Sequence, residues 1–100
     1  MTVQEDSEDP KIELKNIIGC RVREARKAFQ GGLTQDHLSG RLAALKITID
    51  RAGIAKIELG IRHVYDFEVA ALARALRVDV KWLLGIETTG GPDKIVRRTE

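Results

Sequence analysis

Apolar residues recur along the chain at the spacing of helix faces, and capping residues separate the successive sets. The first set has intervals of four, three and four residues, which predicts a helix from about residue 17 that stops at Gly31-Gly32. Asn16 is the preferred N-cap, and Asp9 followed by Pro10 is the alternative. The apolar positions of this helix are Ile18, Val22, Ala25 and Phe29.

A second and a third short helix follow, each with its own cap. Thr34 is a good N-cap for the second helix, in which Leu33 and Leu38 occupy the positions of a hydrophobic staple. Asp50 caps the third helix, over 51–58, and Gly60 supplies its stop. The apolar face continues with Leu38, Leu42 and Leu45 in the second helix and with Ile54 and Ile57 in the third.

The remaining sequence predicts two more helices and no strand. Residues 66–78 carry a strong apolar stripe, and Asp79 caps a final short helix that Gly85 closes. Since no stretch shows strand alternation and no repeat is visible, the predicted fold class is all-α, with five short helices. The stripe in 66–78 consists of Phe67, Ala70 or Ala71, Leu72, Ala75 and Leu76.

Composition and charge narrow the class of protein. One hundred residues with 43% apolar content fit one small domain, and no apolar run is long enough for a membrane span. The acidic start is unlike a signal peptide, and the single cysteine, Cys20, excludes an intrachain disulfide, so we expect a cytoplasmic location. Residues 1–16 hold five acids and two lysines, whereas residues 17–86 hold twelve basic and seven acidic side chains. The net positive charge of residues 17–86 permits nucleic-acid binding but does not require it.

Several short motifs stand in the order and phase of one known family. They are Leu33-Thr34-Gln35, Leu38, Ile54, Ile57-Glu58, Gly60, Arg62, Ala73-Arg74-Ala75-Leu76 and Val80-Lys81-Trp82-Leu83-Leu84. Together they resemble the Cro/repressor-type (XRE-like) helix-turn-helix regulators of bacteria and phages, over roughly residues 17–85.

The resemblance implies a five-helix, lambda-repressor-like DNA-binding domain whose third helix enters the major groove. The stretch from Thr34 to Glu58 is longer than the commonest spacing in the family, so we expect an extended helix 2 and turn, around 43–48. On this interpretation residues 1–15 form an acidic flexible segment, residues 16–86 the helix-turn-helix domain and residues 87–100 a flexible tail.

The resemblance also implies roles for individual residues. Arg26 and Glu58 match an ion pair that ties the first helix to the end of the third. Leu59 and Tyr65 depart from the pattern, because the family often has a polar or basic residue at the first position and a threonine cap at the second. The groove-facing positions are Arg51, Ala52, Gly53, Ala55 and Lys56. The positions expected at the DNA phosphates are Thr34, Gln35, Gly60 and Arg62.

Base reading by the third helix depends on few side chains. Arg51 is the one suited to a bidentate base contact, which contributes about 1–3 kcal/mol of discrimination. Lys56 is expected on phosphate, and Ala52 and Ala55 offer only apolar contact to thymine methyl groups. Gly53 weakens the helix by about 1 kcal/mol relative to alanine, which a close approach to DNA would explain. We therefore expect modest sequence specificity for double-stranded DNA.

The expected function is that of a transcriptional regulator, most simply a repressor that occupies operator DNA as a homodimer. A dense apolar patch near the C-terminus is the candidate dimer interface, formed by Trp82, Leu84 and Ile86 and followed by Ile95 and Val96. The alternative is an antitoxin-like or adaptor protein that binds another protein through the acidic segment or the tail.

The sequence indicates no enzyme, metal site or cofactor. His37 and His63 have no neighbouring residues at metal-ligand spacing. Cys20 has no motif for nucleophilic chemistry and is expected to be structural, near the apolar face of the first helix.

Overall fold

Five helices make up most of residues 13–92, the part of the chain that the computed structural model describes. They are α1 (Gly19–Ala28), α2 (Gln35–Ala44), α3 (Arg51–Leu59), α4 (Asp66–Leu76) and α5 (Val80–Leu83). These residues contain no strand, which confirms the all-α prediction. Within them, no helix combines the length and the apolar character needed to cross a membrane. The predictions for residues 1–12 and for 93–100, with Ile95 and Val96, lie outside the described residues.

Three of the predicted N-caps, Thr34, Asp50 and Asp79, start their helices, whereas α1 has Ile18 as its N-cap and not the predicted Asn16, which lies two residues earlier. Oδ1 of Asn16 accepts hydrogen bonds from the backbone N–H groups of Ile18 and Gly19, at 3.0 and 2.8 Å. The side chains of Thr34, Asp50 and Asp79 accept in the same way from the backbone N–H groups of His37, Gly53 and Lys81, at 3.0, 2.8 and 2.9 Å. Each bond satisfies a donor that the first helical turn leaves without a partner in the helix.

The connection between α2 and α3 is long and well packed. α2 ends at Ala44, and residues 45–50 lead to α3, with Lys46 in the left-handed region at a φ of 68°. Ile49 is buried and Ile47 is half-buried, so the connection is anchored in the core. The hydroxyl of Ser39 in α2 also donates to the carbonyl of Ile49, at 2.7 Å.

α3 lies at the centre of the bundle. α1 and α2 both pack against it, α4 packs against α1 and α2, and α5 closes on α4. The apolar residues predicted to point inward form one core. Its largest fully buried members are Ile18, Val22, Leu38, Leu42, Ile54, Ile57, Leu72 and Leu83. Because burying a side chain of this size contributes about 1.5–3 kcal/mol, the core fixes the position of α3.

The first turn of α4 differs from its prediction. Phe67 exposes 57% of its surface and stacks on Tyr65, with the ring centroids 5.4 Å apart. Glu68 is the buried residue of this turn, and Ala71 rather than Ala70 continues the buried face. At helical spacing Glu68 lies at the middle of that face and Phe67 at its edge, so the prediction that Phe67 points inward is wrong.

α1 also departs from its prediction at two positions. Phe29 is only half-buried at the end of the helix, where the guanidinium of Arg41 lies 4.7 Å from its ring centre. Cys20 is exposed. It follows Ile18 by two residues, which is about 200° around a helix, so Cys20 lies opposite the apolar face and not near it as predicted.

Trp82 belongs to the core, contrary to the prediction that it lines a dimer interface. It is 5% exposed, and the guanidinium of Arg21 lies 4.7 Å from its ring centre. The backbone of Gly91 lies so close that a Cβ there would be 2.8 Å from Nε1 of the indole. The side chain is therefore covered within its own chain.

The residues after α5 cover this tryptophan. The carbonyl of Gly90 accepts a hydrogen bond from the backbone N–H of Asp79 at 2.7 Å, which returns the chain to the start of α5. Residues 87–92 therefore pack on the domain, although they were assigned to the flexible tail. Of the other two residues predicted for the interface, Leu84 is half-buried and Ile86 is exposed.

Candidate nucleic-acid interface

α3 presents a continuous exposed face opposite its buried one. Ile54 and Ile57 are fully buried, and the residues on the other side of the helix reach solvent. Gly60 ends the helix with a φ of 80°, a left-handed conformation that glycine adopts without strain. The outward residues are Arg51, Ala52, Ala55, Lys56 and Leu59, which we call the α3 face; all are exposed except Ala55, which is partly buried.

Gly53 does not belong to the α3 face, although it was predicted there. A Cβ built on Gly53 would lie 2.9 Å from Cγ2 of Ile49 and 3.1 Å from Oδ1 of Asp50. Ile49 is buried and Asp50 is the N-cap of α3, so moving either side chain would disturb the core packing or the cap hydrogen bond. Packing inside the chain therefore requires the glycine, and a close approach of DNA is not needed to explain it.

Arg26 of α1 and Glu58 of α3, which the resemblance predicts to pair, hold these two helices together. Nε and Nη2 of Arg26 donate to the two carboxylate oxygens of Glu58, at 2.7 and 2.9 Å. The two side chains are only 12% and 5% exposed. The hydrogen bond with Glu58 raises the pKa of Arg26 above its ordinary value. A bidentate and nearly buried pair of this kind restricts the angle between α1 and α3.

The start of α2 adjoins this ion pair. Nε2 of Gln35 donates to Oε1 of Glu58 at 3.1 Å, so the Gln35 amide supports the ion pair, a role that the sequence did not indicate. Thr34 accepts the cap bond from His37 and still has its own hydroxyl proton to donate. The first N–H groups of α2 point out of the helix end, where the helix dipole attracts anions.

An open cleft of about 680 Å³ lies where α1, the start of α2 and the start of α3 meet. Arg51 lines it, and α1 contributes Arg23 and Lys27, to which the sequence analysis assigned no role. Their spacing of four residues, which places them on one side of α1, was the available signal. Since Arg26 is paired with Glu58, the net charge of the cleft comes from three basic side chains and from Asp36, so the cleft is basic, and it adjoins the α3 face. Its lining residues are Arg23, Arg26, Lys27, Leu33, Thr34, Gln35, Asp36 and Arg51.

Arg62 follows α3 and forms a second bidentate ion pair, with Glu68 of α4. Its Nη1 and Nη2 lie 3.0 and 3.2 Å from the two carboxylate oxygens. The hydrogen bond with Glu68 raises the pKa of Arg62. Burial raises the pKa of Glu68, but the hydrogen bonds from Arg62 and from the backbone N–H of Tyr65 bring it below its ordinary value. Arg62 was predicted at a DNA phosphate, and here it fixes the loop between α3 and α4.

Gly60 is not available for the phosphate contact predicted for it. Its N–H donates to the carbonyl of Ile57 at 2.9 Å, and its carbonyl accepts from the N–H of Lys15 at 2.7 Å. Leu14 covers it so closely that a Cβ on Gly60 would lie 2.6 Å from Cδ2 of Leu14. Leu14 and Lys15, assigned to the flexible N-terminal segment, thus pack on the end of α3.

Asn16 links the start of α1 to the end of α3, which the sequence did not indicate. Besides its bonds to the backbone at the start of α1, it donates from Nδ2 to the carbonyls of Ile57 and Arg62, at 3.1 and 2.9 Å. The carbonyl of Ile57 is one of those that the last helical turn leaves exposed. One side chain therefore closes both helix ends, and no local pattern reveals a bond across more than forty residues.

The arrangement of α2 and α3, with a basic cleft beside an exposed face on α3, defines a helix-turn-helix DNA-binding domain. The helix-turn-helix family profile matches residues 22–83. The chain belongs to the Cro/repressor-type (XRE-like) helix-turn-helix family. Comparisons with curated proteins and with solved structures returned no match.

Proposed function

We propose that this protein is a transcriptional repressor that binds operator DNA with α3 in the major groove. The observation that carries the proposal is the α3 face lying beside the basic cleft. The middle of this face holds only Ala52 and Ala55, so the helix backbone can approach base edges closely. The basic side chains of the cleft can pair with the DNA phosphates at the edge of the groove.

Arg51 is the proposed base-reading residue. It is exposed at the first turn of α3 and lines the basic cleft, so it stands at the helix end that leads into the groove. Its fork of donors suits guanine O6 and N7. Ala52 and Ala55 add apolar contacts to thymine methyl groups, and Lys56 pairs with phosphate. Because one residue reads bases directly, specificity per half-site is modest, and DNA shape supplies part of it.

Phosphate contacts are proposed for the cleft and the start of α2. Arg23 and Lys27 join Thr34 and the first N–H groups of α2 in holding the DNA backbone. Gln35 and Arg62 act mainly by holding Glu58 and Glu68, and so position the α3 face rather than bind phosphate themselves. The resemblance had implied phosphate contacts for both.

The proposed operator complex contains two copies related by a two-fold axis. Ile86 is exposed just after α5, and Leu84 is partly exposed, so these two residues form the proposed contact between copies on DNA. Half-sites read by such a dimer lie about 34 Å apart, one turn of DNA, or a multiple of that. Such a repressor acts in the cytoplasm, where bacterial or phage operators lie.

Selection of bound sequences from random DNA, followed by salt-titrated binding to the selected duplex, tests this proposal. We expect short half-sites with two-fold symmetry and an affinity that falls steeply with salt, with a log–log slope of about −0.9 per phosphate contact. Lys27→Ala should reduce the slope by about 1, whereas Arg51→Ala should cost about 1–3 kcal/mol and relax the preference at one base pair.

Arg74→Ala is the matched control, since Arg74 is an exposed arginine of α4 outside the cleft and the α3 face. It should leave the base preference unchanged. Weak binding that does not depend on salt, or equal losses for the Arg51 and Arg74 variants, would show that the α3 face is not the DNA-binding surface.

A further inference from the structure

Four acidic side chains lie within five residues of the sequence before the first helix, and the proposed function gives them no part. The only basic side chain in residues 1–12 is Lys11, so this stretch is acidic overall. In an extended chain successive residues are about 3.3–3.6 Å apart, which gives one negative charge for about every 4 Å of these five residues. One DNA strand carries one charge for about every 3.4 Å of helix axis, so the two charge densities are close. We call these four residues the acidic run: Glu5, Asp6, Glu8 and Asp9.

The chain that carries the acidic run joins the domain beside the basic cleft. The backbone N–H of Lys15 donates to the carbonyl of Gly60, and Leu14 covers Gly60. Glu58, two residues before Gly60, accepts a hydrogen bond at 2.7 Å from Arg26, which lines the cleft. The residues before Leu14 therefore leave the domain near the cleft.

The length of chain before Leu14 is sufficient to span the cleft. Five residues separate Asp9 from Leu14 and nine separate Glu5 from it, which allow reaches of up to about 17 and 30 Å. Along α3, nine residues separate Gly60 from Arg51, a distance of about 14 Å at 1.5 Å per residue. The acidic run can therefore reach Arg51 at the far side of the cleft.

Three cationic side chains of the cleft are available to an anion. Arg23, Lys27 and Arg51 are exposed, and within residues 13–92 none of them forms an ion pair. Asp36 is the one acid among the lining residues, so the cleft keeps a net positive charge. Lys56, exposed in the last turn of α3, adds a further cation on the way to Arg51.

Covalent attachment of the run to the domain lets weak contacts act together. A single exposed ion pair contributes little, because water and salt screen it. A short tether, however, holds a ligand at an effective concentration of about millimolar. We infer that the acidic run docks in the basic cleft of its own chain, where it takes the place of DNA phosphates.

The docked run and DNA compete for the same side chains. Arg23 and Lys27 are proposed to hold phosphates and Arg51 to read bases, so DNA must displace the run. Only the undocked fraction of the protein is competent to bind, which lowers the apparent affinity for every duplex by the same factor. The run therefore weakens binding without changing which base pairs are preferred. This competition rests on the proposed function, whereas the docking itself does not.

Carbodiimide coupling of the full chain without DNA tests the docking. The reagent joins a carboxylate to an amine where the two are in contact, and Lys27 supplies the amine of the cleft. At low salt we expect peptide mapping to find Lys27 joined to the acidic run in a product of monomer mass, 11.1 kDa. The link should become about threefold rarer or more in R23Q/R51Q, because two of the cations that hold the run are then missing.

Arg74→Gln is the matched control for R23Q/R51Q, because Arg74 is exposed on α4 and lies outside the cleft. It should leave the link unchanged, and far-UV circular dichroism checks that each variant is folded. The docking would be overturned by the absence of any link to Lys27, by a link as frequent in R23Q/R51Q as in Arg74→Gln, or by a link found only in products of twice the monomer mass. Each of these results holds whether or not the protein binds DNA.

DNA binding at one fixed salt concentration tests the competition. E5Q/E8Q removes two charges of the run, and D66N/E87Q removes two exposed acids elsewhere, so the two variants have the same net charge. We expect E5Q/E8Q to bind the selected duplex and an unrelated duplex about threefold more tightly than the wild type, and D66N/E87Q to change either affinity by less than about twofold. Equal affinities for the two variants would refute the competition. A failure of every variant to bind DNA would refute the proposed function, and the competition with it, but not the docking.

Discussion

Replacing Glu58 by glutamine removes a charge from the contact between α1 and α3 while keeping the shape of the side chain. Glu58 accepts hydrogen bonds from Nε and Nη2 of Arg26 and from Nε2 of Gln35, at 2.7, 2.9 and 3.1 Å. A glutamine offers only one acceptor oxygen and turns an NH₂ group towards these donors. The Arg26 guanidinium, whose side chain is 12% exposed, then keeps its charge without an anion.

The expected loss in the free energy of unfolding is about 3 kcal/mol. Removing one partner of a buried ion pair costs about 3–5 kcal/mol, because the other charge stays buried. Arg26 retains its hydrogen bond from Nη1 to the carbonyl of Leu33, at 2.9 Å, which places the loss at the lower end of this range. At about 4–8 °C for each kcal/mol in a domain of this size, the melting temperature should fall by roughly 12–24 °C.

Urea unfolding at pH 7, followed by the fluorescence of Trp82, measures this loss. Trp82 is the single tryptophan and is buried, so its emission reports the packed core. The midpoint should fall with an unchanged m-value. Two apolar residues can often replace a buried ion pair without loss of stability. The double variant R26M/E58L should therefore recover most of the free energy of unfolding that Glu58→Gln loses.

Glu24→Gln is the control for the same chemical change at an exposed position of α1. It should alter stability by less than about 0.5 kcal/mol. If Glu58→Gln also fell within that limit, the reasoning that this ion pair joins α1 to α3 would be refuted.

Three further predictions concern the residues that support α3. The pKa of Glu68 lies below the ordinary 4.5, so its ionised carboxylate stabilises the fold above pH 4.5, and this contribution is lost as the pH falls through the lowered pKa. Glu68→Gln should therefore make the free energy of unfolding depend less on pH on the acid side. An unchanged stability–pH curve would contradict this. Gly53→Ala should lower the free energy of unfolding by about 1 kcal/mol, because crowding against Ile49 outweighs the gain in helix propensity, and a higher urea midpoint would disprove it. Asn16→Ala should cost about 1–3 kcal/mol, because the bonds of Asn16 to the start of α1 and to the carbonyls at the end of α3 are lost, and a loss below about 0.5 kcal/mol in urea unfolding would argue against that role.

Much of the fold was predictable because its signals are local. A capping side chain bonds to backbone two or three residues away, so the N-caps Thr34, Asp50 and Asp79 are recognisable without tertiary information. The apolar periodicity likewise reflects the geometry of one helix. It placed Ile54 and Ile57 in the core and thereby oriented the α3 face.

The candidate site was predictable only in outline. The resemblance paired Arg26 with Glu58, but it did not indicate that Gln35 joins them or that Arg23 and Lys27 line the same cleft. These relations bring together residues from different helices. Their distances depend on how α1, α2 and α3 pack, and spacing within one helix carries no such information.

Local patterns were enough to predict the five helices, the caps of α2, α3 and α5, and the family to which the chain belongs, since each depends on residues close together in the chain. Helix packing, by contrast, settles which polar and apolar groups at the helix edges are buried or bonded inside the domain. It covers Gly60 with Leu14, buries Trp82 under the chain at Gly91 and leaves Phe67 at the surface. The physical reason is that burial and hydrogen bonding at the edges of helices depend on segments that meet only after the helices have packed.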